Sequence, residues 1–182
     1  GKLLYEYIMA HYKSLVWRLN PYNPIEKNLN IVGVQNDETH VLNLGCGFES
    51  IDKGWTKEHA SAARKARKAR KAGVEIRQAH TLQDWKDYYK TYEDSLKRWG
   101  DSASSIYKWS FFQNMYDLSS PNIKLWLAIF ENRVIAGALC LYSKKHVGYW
   151  HGAASAEYFN MRPVNLLMYE VIKNSCDNCY QW

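Results

Sequence analysis

Residues 123–153 contain three runs of strand-forming residues separated by short polar turns. The runs cover 123–130, 134–142 and 147–153, and only a few residues separate each run from the next. Connections this short join antiparallel neighbours, because a parallel crossover needs a dozen residues or more. The sequence therefore predicts an antiparallel three-strand meander, against which the neighbouring helices must pack.

A short strand at 74–78 and two helices are predicted before the meander. Thr81 and Asp84 form a capping pair at the start of the first helix, which ends at Gly100. Its apolar stripe consists of Leu82, Trp85, Tyr89, Tyr92, Leu96 and Trp99. The second helix is predicted over about 105–118.

After the meander the pattern predicts one more helix and one more strand. Pro163 suits the first position of a helix that continues through 164–173, and a strand is expected to begin at Cys179. From residue 74 the order is β-α-α-β-β-β-α-β. This order predicts an α+β fold with a sheet flanked by helices.

The first third of the chain is predicted to contain one helix and several strands. Residues 3–17 are typical of an amphipathic helix running into a strand. Residues 30–35 and 40–44 are typical of the two strands of a hairpin. Thr56 is the expected N-cap of a further helix that ends at Gly73.

That last helix carries a concentrated run of positive charge. Between His59 and Gly73 there is no acidic residue, so like charges lie three and four residues apart. The basic octet consists of Arg64, Lys65, Arg67, Lys68, Arg70 and Lys71 with two alanines. Its six charges equal the formal net charge of the chain, +6. The six side chains are therefore predicted to bind a polyanion, although a solvated helix face is the alternative.

Composition excludes several classes of protein. At 182 residues and 47% hydrophobic content, the chain is long and apolar enough to fold around a core. No apolar run approaches the ~20 residues of a membrane span, and no leader opens the chain, so a cytoplasmic protein is expected. Cys176 and Cys179 have C-x-x-C spacing but no second pair nearby, so reduced thiols and no metal are expected.

Four segments together resemble one known family. They are Lys65-Ala66-Arg67-Lys68-Ala69-Arg70-Lys71-Ala72-Gly73-Val74, Arg98-Trp99-Gly100, Tyr149-Trp150-His151-Gly152-Ala153 and Arg162-Pro163-Val164-Asn165-Leu166-Leu167-Met168-Tyr169-Glu170. In this order the chain resembles the FemABX-like acyltransferases, a branch of the GNAT superfamily of N-acetyltransferases. In that branch a basic, Ala-rich helical segment joins two similar domains.

The resemblance implies a domain organisation. Residues 1–55 would be the end of a first acyltransferase-like domain, 56–73 the connecting helix, and 74–182 a second domain with a mixed sheet, truncated at its C-terminus. The chain would then be a fragment of a longer protein, and inactive alone if the missing parts are needed.

The resemblance also implies a function. An acyl or aminoacyl group would move from acyl-CoA or aminoacyl-tRNA to an amine on a small molecule or peptide, such as a cell-wall (peptidoglycan) precursor. No permanently bound cofactor is implied, and tRNA is a possible partner.

The strand at 147–153 supplies the first candidate site residues. Strict alternation would place Tyr149 and His151 on one face and Trp150 with the two flanking glycines on the other. His151 is the candidate proton acceptor, because its ordinary pKa is near working pH, while a core histidine is the alternative. Tyr149 and Trp150 are candidate substrate-binding residues.

Other candidates lie on the helices. Tyr169 and Glu170 are candidate catalytic residues of the helix that follows, where solvation is the alternative for Glu170. Arg98, Trp99, Arg162 and Asn165 are candidate substrate-binding residues, Arg162 because helix N-termini attract anions. Residues 156–162 lack the glycine typical of a CoA pyrophosphate turn, which favours aminoacyl-tRNA as the donor.

Two other functions compete with acyl transfer. Residues 41–47, Val-Leu-Asn-Leu-Gly-Cys-Gly, copy the glycine-rich turn of S-adenosylmethionine methyltransferases, but no alternating βαβ pattern follows. The basic octet alone would also suit a nucleic-acid-binding module.

Overall fold

The computed structural model describes residues 2–13, 15, 33, 38–57, 61–103 and 105–182. The chain divides into two units, 1–40 and 41–182. In the first unit the described helix is α1, Lys2–His11. The strand predicted over 30–35 lies, apart from Gly33, outside the described residues.

The second unit contains the remaining helices and strands. They follow in the order α2 Phe48–Lys57, α3 Ser61–Lys71, β1 Glu75–Gln78, α4 Leu82–Trp99, α5 Trp109–Asp117, β2 Ile123–Phe130, β3 Arg133–Ser143, β4 His146–Ala154 and α6 Pro163–Asp177. Short 3-10 helices cover Gly100–Ser102 and Ala156–Met161.

The described strands form one antiparallel sheet in the order β1-β2-β3-β4. The predicted meander is therefore confirmed, and so is the α+β fold of helices around a sheet. The mixed sheet that the resemblance implied is not found in the described residues, because every described pair is antiparallel and the strand expected from Cys179 does not form. Pro163 is at the first position of α6, as predicted. The division of the chain into 1–55, 56–73 and 74–182 stays a prediction.

One face of the sheet packs against α4 and α5 with large side chains. The buried members of this aromatic face are Trp85, Tyr88, Tyr92, Phe112, Leu125, Leu127, Leu139 and Ala153. Gly137 is needed here, because a methyl group on it would lie 2.4 Å from the Tyr88 ring. The absence of a side chain in β3 therefore lets α4 lie close to the sheet.

The opposite face packs against α6, and α3 packs in turn against α6. This small-residue face includes Ala128, Ala136, Ala138, Ala154, Leu166, Leu167 and Val171. Ala63, Ala66 and Ala69 of α3 are at most 1% exposed. A helix so rich in cations is held to the core by its row of alanines.

The predicted capping pair of α4 is confirmed. Thr81 Oγ1 accepts from the backbone N–H of Asp84, and the Asp84 carboxylate accepts from the backbone N–H of Thr81. Arg77 of β1 also donates to this carboxylate. The Arg77 hydrogen bond lowers the pKa of Asp84 well below its ordinary value, with smaller help from the His80 and Thr81 amides. The helix start is thereby tied to the sheet.

Several sequence predictions are wrong at the ends of the unit. Thr56 lies inside α2, so it does not cap the basic helix, which begins at Ser61. Residues 40–44 form no strand, and neither do 179–182. The C-terminal backbone instead meets the β3–β4 turn, where Gln181 N–H donates to Lys145 O. Tertiary packing of α2 against α3 and α6 outweighs the local capping signal.

Candidate active site

A β-bulge in β4 organises the candidate site. Leu139 pairs with His151 and Cys140 pairs with Tyr149, so Trp150 is the extra residue. The predicted strict alternation is therefore wrong. Trp150 and His151 both contact rings of the aromatic face, whereas Tyr149 pairs with a residue of the small-residue face.

His151 is enclosed by aromatic rings. Its ring centroid lies 4.6 Å from that of Tyr92 and 5.3 Å from that of Phe112. The Tyr88 hydroxyl lies 2.6 Å from His151 Nδ1. Tyr88 is fully buried, and its O–H has no other acceptor among the described residues. We therefore assign the O–H as the donor to Nδ1, which assigns the ring proton to Nε2. Burial lowers the pKa of His151 to about 4.

Three aromatic side chains extend this cluster towards solvent. Tyr107 and Phe111 stack with ring centroids 4.9 Å apart, and Trp150 lies 5.2 Å from Tyr107 and 5.5 Å from Phe111. Trp150 is 38% exposed. The Trp150 platform, as we call these three residues, offers a partly exposed apolar surface beside His151.

Tyr149 lies along the same strand on the other face. A methyl group on Gly152 would lie 1.8 Å from the Tyr149 hydroxyl oxygen, so the phenol directly covers the Gly152 backbone. Tyr149 is nevertheless 52% exposed. Only glycine at 152 permits this arrangement.

Arg98 and Trp99 lie where β4 ends. Arg98 donates to the carbonyl of Ala154 at 3.3 Å, and its guanidinium lies 4.8 Å from the centre of the Phe159 ring. The Trp99 ring centroid is 6.3 Å from that of Tyr92. Arg98 therefore secures the connection between β4 and α6, and Trp99 borders the aromatic face.

A basic cleft lies between α3 and the start of α6. It encloses about 310 Å³ and is lined by Arg64, Lys65, Lys68 and Arg162. Arg162 immediately precedes α6 in a left-handed conformation, with φ of 59°. None of the four forms an ion pair with a residue that the structure describes. Four cations beside a helix N-terminus suit a ligand with several negative charges.

Two other cations of the basic octet are neutralised. Arg67 pairs with Asp52 of α2 at 3.0 Å, and Arg70 pairs with Glu170 of α6. Lys71 is exposed and does not line the cleft. The octet is thus divided between residues that join helices and residues available to a ligand.

Tyr169 lies among the helix-joining residues. Its ring centroid is 4.9 Å from that of Phe48, and the Arg70 guanidinium lies 5.6 Å from its centre. Burial raises the pKa of Tyr169, and Asp52 adds to the rise. Asn165 lies in the first turn of α6 and donates its backbone N–H to the Arg162 carbonyl.

The structure does not bring the three candidate catalytic residues together. His151 is on the aromatic face, whereas Tyr169 packs on the opposite side of the sheet beside Glu170. Sequence reasoning missed Tyr88, although it lies three residues after Trp85 and four before Tyr92 on one helical face. It also missed Asp52, for which no local signal exists. The catalytic role of each candidate stays a prediction.

A model of the acetyltransferase (GNAT) domain matches residues 56–182, well over half of the chain. The chain belongs to this family. The membership of the GNAT superfamily that the sequence resemblance implied is thereby confirmed. Proteins of this family are acyltransferases that use acyl-CoA as a co-substrate. None of the curated proteins matches the chain.

Three solved structures are similar to this chain. The crystal structure of FemX matches with a TM-score of 0.64 at 12% identity, over 76% of this chain and 50% of the FemX chain. The chain therefore spans half the length of that protein. An aminoglycoside acetyltransferase from an uncultured soil metagenomic sample, in complex with sisomicin, matches with a TM-score of 0.47 at 11% identity, covering 59% and 73% of the two chains. A possible acetyltransferase from Clostridium difficile 630 matches at 0.43 and 14%, covering 59% and 74%.

Among the described residues, no helix has the length and apolarity needed to cross a membrane. Within the same ranges, no group of three or more His, Cys, Asp or Glu side chains is placed to hold a metal ion.

Proposed function

We propose that this GNAT protein transfers an acyl or aminoacyl group from a phosphate-bearing donor to an amine acceptor. The observation that carries the proposal is the basic cleft, where cations of α3 that pair with no described residue meet Arg162 at the start of α6. In the reaction, the amine nitrogen bonds to the carbonyl carbon of the donor, and the bond from that carbon to sulfur or oxygen breaks. The proton that the amine loses ends on the departing sulfur or oxygen, which leaves as a thiol or an alcohol.

The donor is proposed to place its phosphates in the basic cleft. Residues 156–161 form a 3-10 helix without glycine, so side-chain cations rather than a glycine-rich turn must supply the contacts. Acyl-CoA and aminoacyl-tRNA both carry suitable phosphates. The cations of α3 extend along a helix surface, which favours the longer polyanion, aminoacyl-tRNA, and a cell-wall precursor as the acceptor is the corresponding proposal.

The acceptor is proposed to approach from the Trp150 platform. The platform borders the bulge of β4 and offers apolar area at low cost in side-chain entropy. Tyr149, on the other face of β4, and Trp99, at the end of α4, are proposed as further substrate contacts.

His151 is proposed to act as a hydrogen-bond donor. A pKa near 4 makes the ring a weak proton acceptor at neutral pH, and Tyr88 already occupies Nδ1. The proton on Nε2 is the remaining polar group with which His151 can contact a substrate. This role replaces the general-base role expected from the sequence.

The test measures donor binding and donor consumption separately. The whole chain is titrated with acyl-CoA and with aminoacyl-tRNA, and consumption with a panel of amines is followed by mass spectrometry. Charge-assisted hydrogen bonds contribute roughly 1.5–3 kcal/mol, so the double variant Arg64→Glu with Lys68→Glu is expected to weaken donor binding at least tenfold. Lys86→Glu, an exposed reversal on α4, is the matched control and is expected to change nothing.

The outcomes separate the candidate functions. Binding of one donor, with consumption only when an amine is present, supports acyl transfer. RNA binding that weakens steeply with salt, without consumption of a charged donor, supports the nucleic-acid-binding alternative, which the unpaired cations of the cleft favour. Failure to bind either donor contradicts both.

A further inference from the structure

Two segments that acyl transfer does not use meet at one end of the second unit. Leu44 N–H donates to the Gln181 carbonyl at 2.9 Å, so the loop before α2 touches the chain after α6. The loop has a defined shape, because Asn43 Oδ1 accepts from Gly45 N–H at 2.9 Å. The Cys46 thiol donates to the Asn43 carbonyl at 3.2 Å.

This contact joins two segments that carry three of the four cysteines. Cys46 comes from the glycine-rich segment, and Cys176 and Cys179 form the C-x-x-C pair at the end of α6. Cys46 and Cys179 are exposed and Cys176 is partly buried. The fourth, Cys140, is buried in the sheet, where burial raises its pKa to about 12. The three thiols of these segments are therefore the ones that a solvent-borne oxidant can reach.

The thiols near this contact differ in reactivity. Cys176 lies in the last turn of α6, where the helix dipole disfavours a thiolate. Burial raises the pKa of Cys176, and the neighbouring Cys46 and Asp177 raise it further. Leu44 contacts Gln181 and Phe48 contacts Tyr169, so the loop between them, which carries Cys46, lies along the end of α6. Cys46 is exposed in this loop. Cys46 is thus expected to be oxidised first, and Cys176 to react with it second.

We propose that Cys46 and Cys176 form a reversible disulfide when a hydroperoxide oxidises the protein. The Cys46 thiolate attacks the peroxide, which leaves a sulfenic acid and releases an alcohol or, from hydrogen peroxide, water. The Cys176 thiol then displaces water from that sulfur, so two thiols and one peroxide yield a disulfide, water and the reduced peroxide. A dithiol reductant reverses the reaction.

The bond would tie the loop before α2 to the last turn of α6. Phe48, the first residue of α2, follows the loop directly and contacts the Tyr169 ring of α6. Oxidation is therefore expected to fix α2 on α6 and to raise the melting temperature. The inference is independent of acyl transfer.

The test uses the whole chain, reduced and then exposed to hydrogen peroxide. Remaining thiols are counted and blocked, and peptides are mapped without reduction. The wild type is expected to fall from four free thiols to two and to yield a peptide joining Cys46 to Cys176. Dithiothreitol should restore all four.

Three serine variants make the assignment specific. Cys46→Ser is expected to keep its remaining thiols, whereas the matched control Cys179→Ser still forms the bond. In Cys176→Ser, Cys46 should stop at the sulfenic acid, which dimedone traps. A peptide joining Cys176 to Cys179, a bond only between two chains, or no loss of thiols in the wild type would overturn the proposal.

Discussion

The two faces of the sheet are built from different kinds of residue. The aromatic face is filled by Tyr88, Tyr92 and Phe112, which are fully buried around a single imidazole. The small-residue face is lined by alanines, against which α6 packs and α3 packs in turn. The large rings fill the interior and keep His151 neutral, whereas the small residues let a charged helix approach the core.

This difference separates two tasks in one domain. On the aromatic face, burial controls protonation, so the state of His151 depends on packing. On the small-residue face, ion pairing determines the role of each cation. Some cations pair across helices, and the others line the basic cleft. Variants on each face should therefore fail in different ways.

The largest effect is expected on the aromatic face from Phe112→Ala. Phe112 is fully buried and contacts the rings of Tyr88, Tyr92 and His151. Truncating a buried Phe removes apolar contacts and leaves a cavity, which costs about 3–5 kcal/mol of unfolding free energy. Urea denaturation measures the loss. Leu118→Ala, at an exposed position just after α5, is the control and should lie within about 0.5 kcal/mol of wild type.

The second effect is a pH dependence produced by His151. Its pKa is about 4 in the folded chain and near 6.5 unfolded, so between these values only the unfolded chain is protonated. The contribution of the neutral His151 to the free energy of unfolding is therefore fully present above pH 6.5. It is lost as the pH falls from 6.5 to 4, and no further loss occurs below pH 4. At about 1.4 kcal/mol per unit, the loss amounts to about 3 kcal/mol.

Denaturation between pH 4 and 7.5 checks this prediction. The difference in unfolding free energy between the wild type and His151→Gln should fall by this amount as the pH drops, because the variant has no ring to protonate. His80→Gln, at an exposed position, should follow the wild type. Parallel curves for wild type and His151→Gln would contradict a buried, neutral imidazole.

How far the sequence could predict the fold depended on how local the signals were. The capping pair Thr81 and Asp84 and the turns of the meander act within a few residues, and these predictions are confirmed. The bulge at Trp150 could not be predicted, since it arises from the register between two strands. One extra residue there reversed the faces assigned to Tyr149 and Trp150.

The candidate site was harder to predict for the same reason. The cations of α3 are evident in the sequence, but their partners Asp52 and Glu170 lie 15 and 100 residues away in the chain. Only the packing of α2 and α6 decides which arginines are neutralised. The donor of the hydrogen bond to His151, Tyr88, is likewise 63 residues distant.

On the small-residue face, Ala66→Leu should cost less than the loss of Phe112. Ala66 is 1% exposed where α3 packs closely on α6. Three extra carbons must displace one helix, at roughly 1–3 kcal/mol of unfolding free energy. Ala72→Leu, at an exposed position after the same helix, is the control. Equal melting temperatures for the two variants would show that α3 is not held by its alanines.

The smallest effect compares two arginines of the same helix. Arg67→Gln removes the pair with Asp52, a partly exposed ion pair worth about 0.2–1 kcal/mol. Arg64→Gln removes only repulsion from Arg67 and Lys68, three and four residues on, so it should stabilise by about 0.2–0.5 kcal/mol. The two variants should therefore shift the urea midpoint in opposite directions at low salt. In 1 M salt the screening length falls to about 3 Å and the difference should shrink. If both variants destabilise equally, the division of the octet into paired and unpaired cations is wrong.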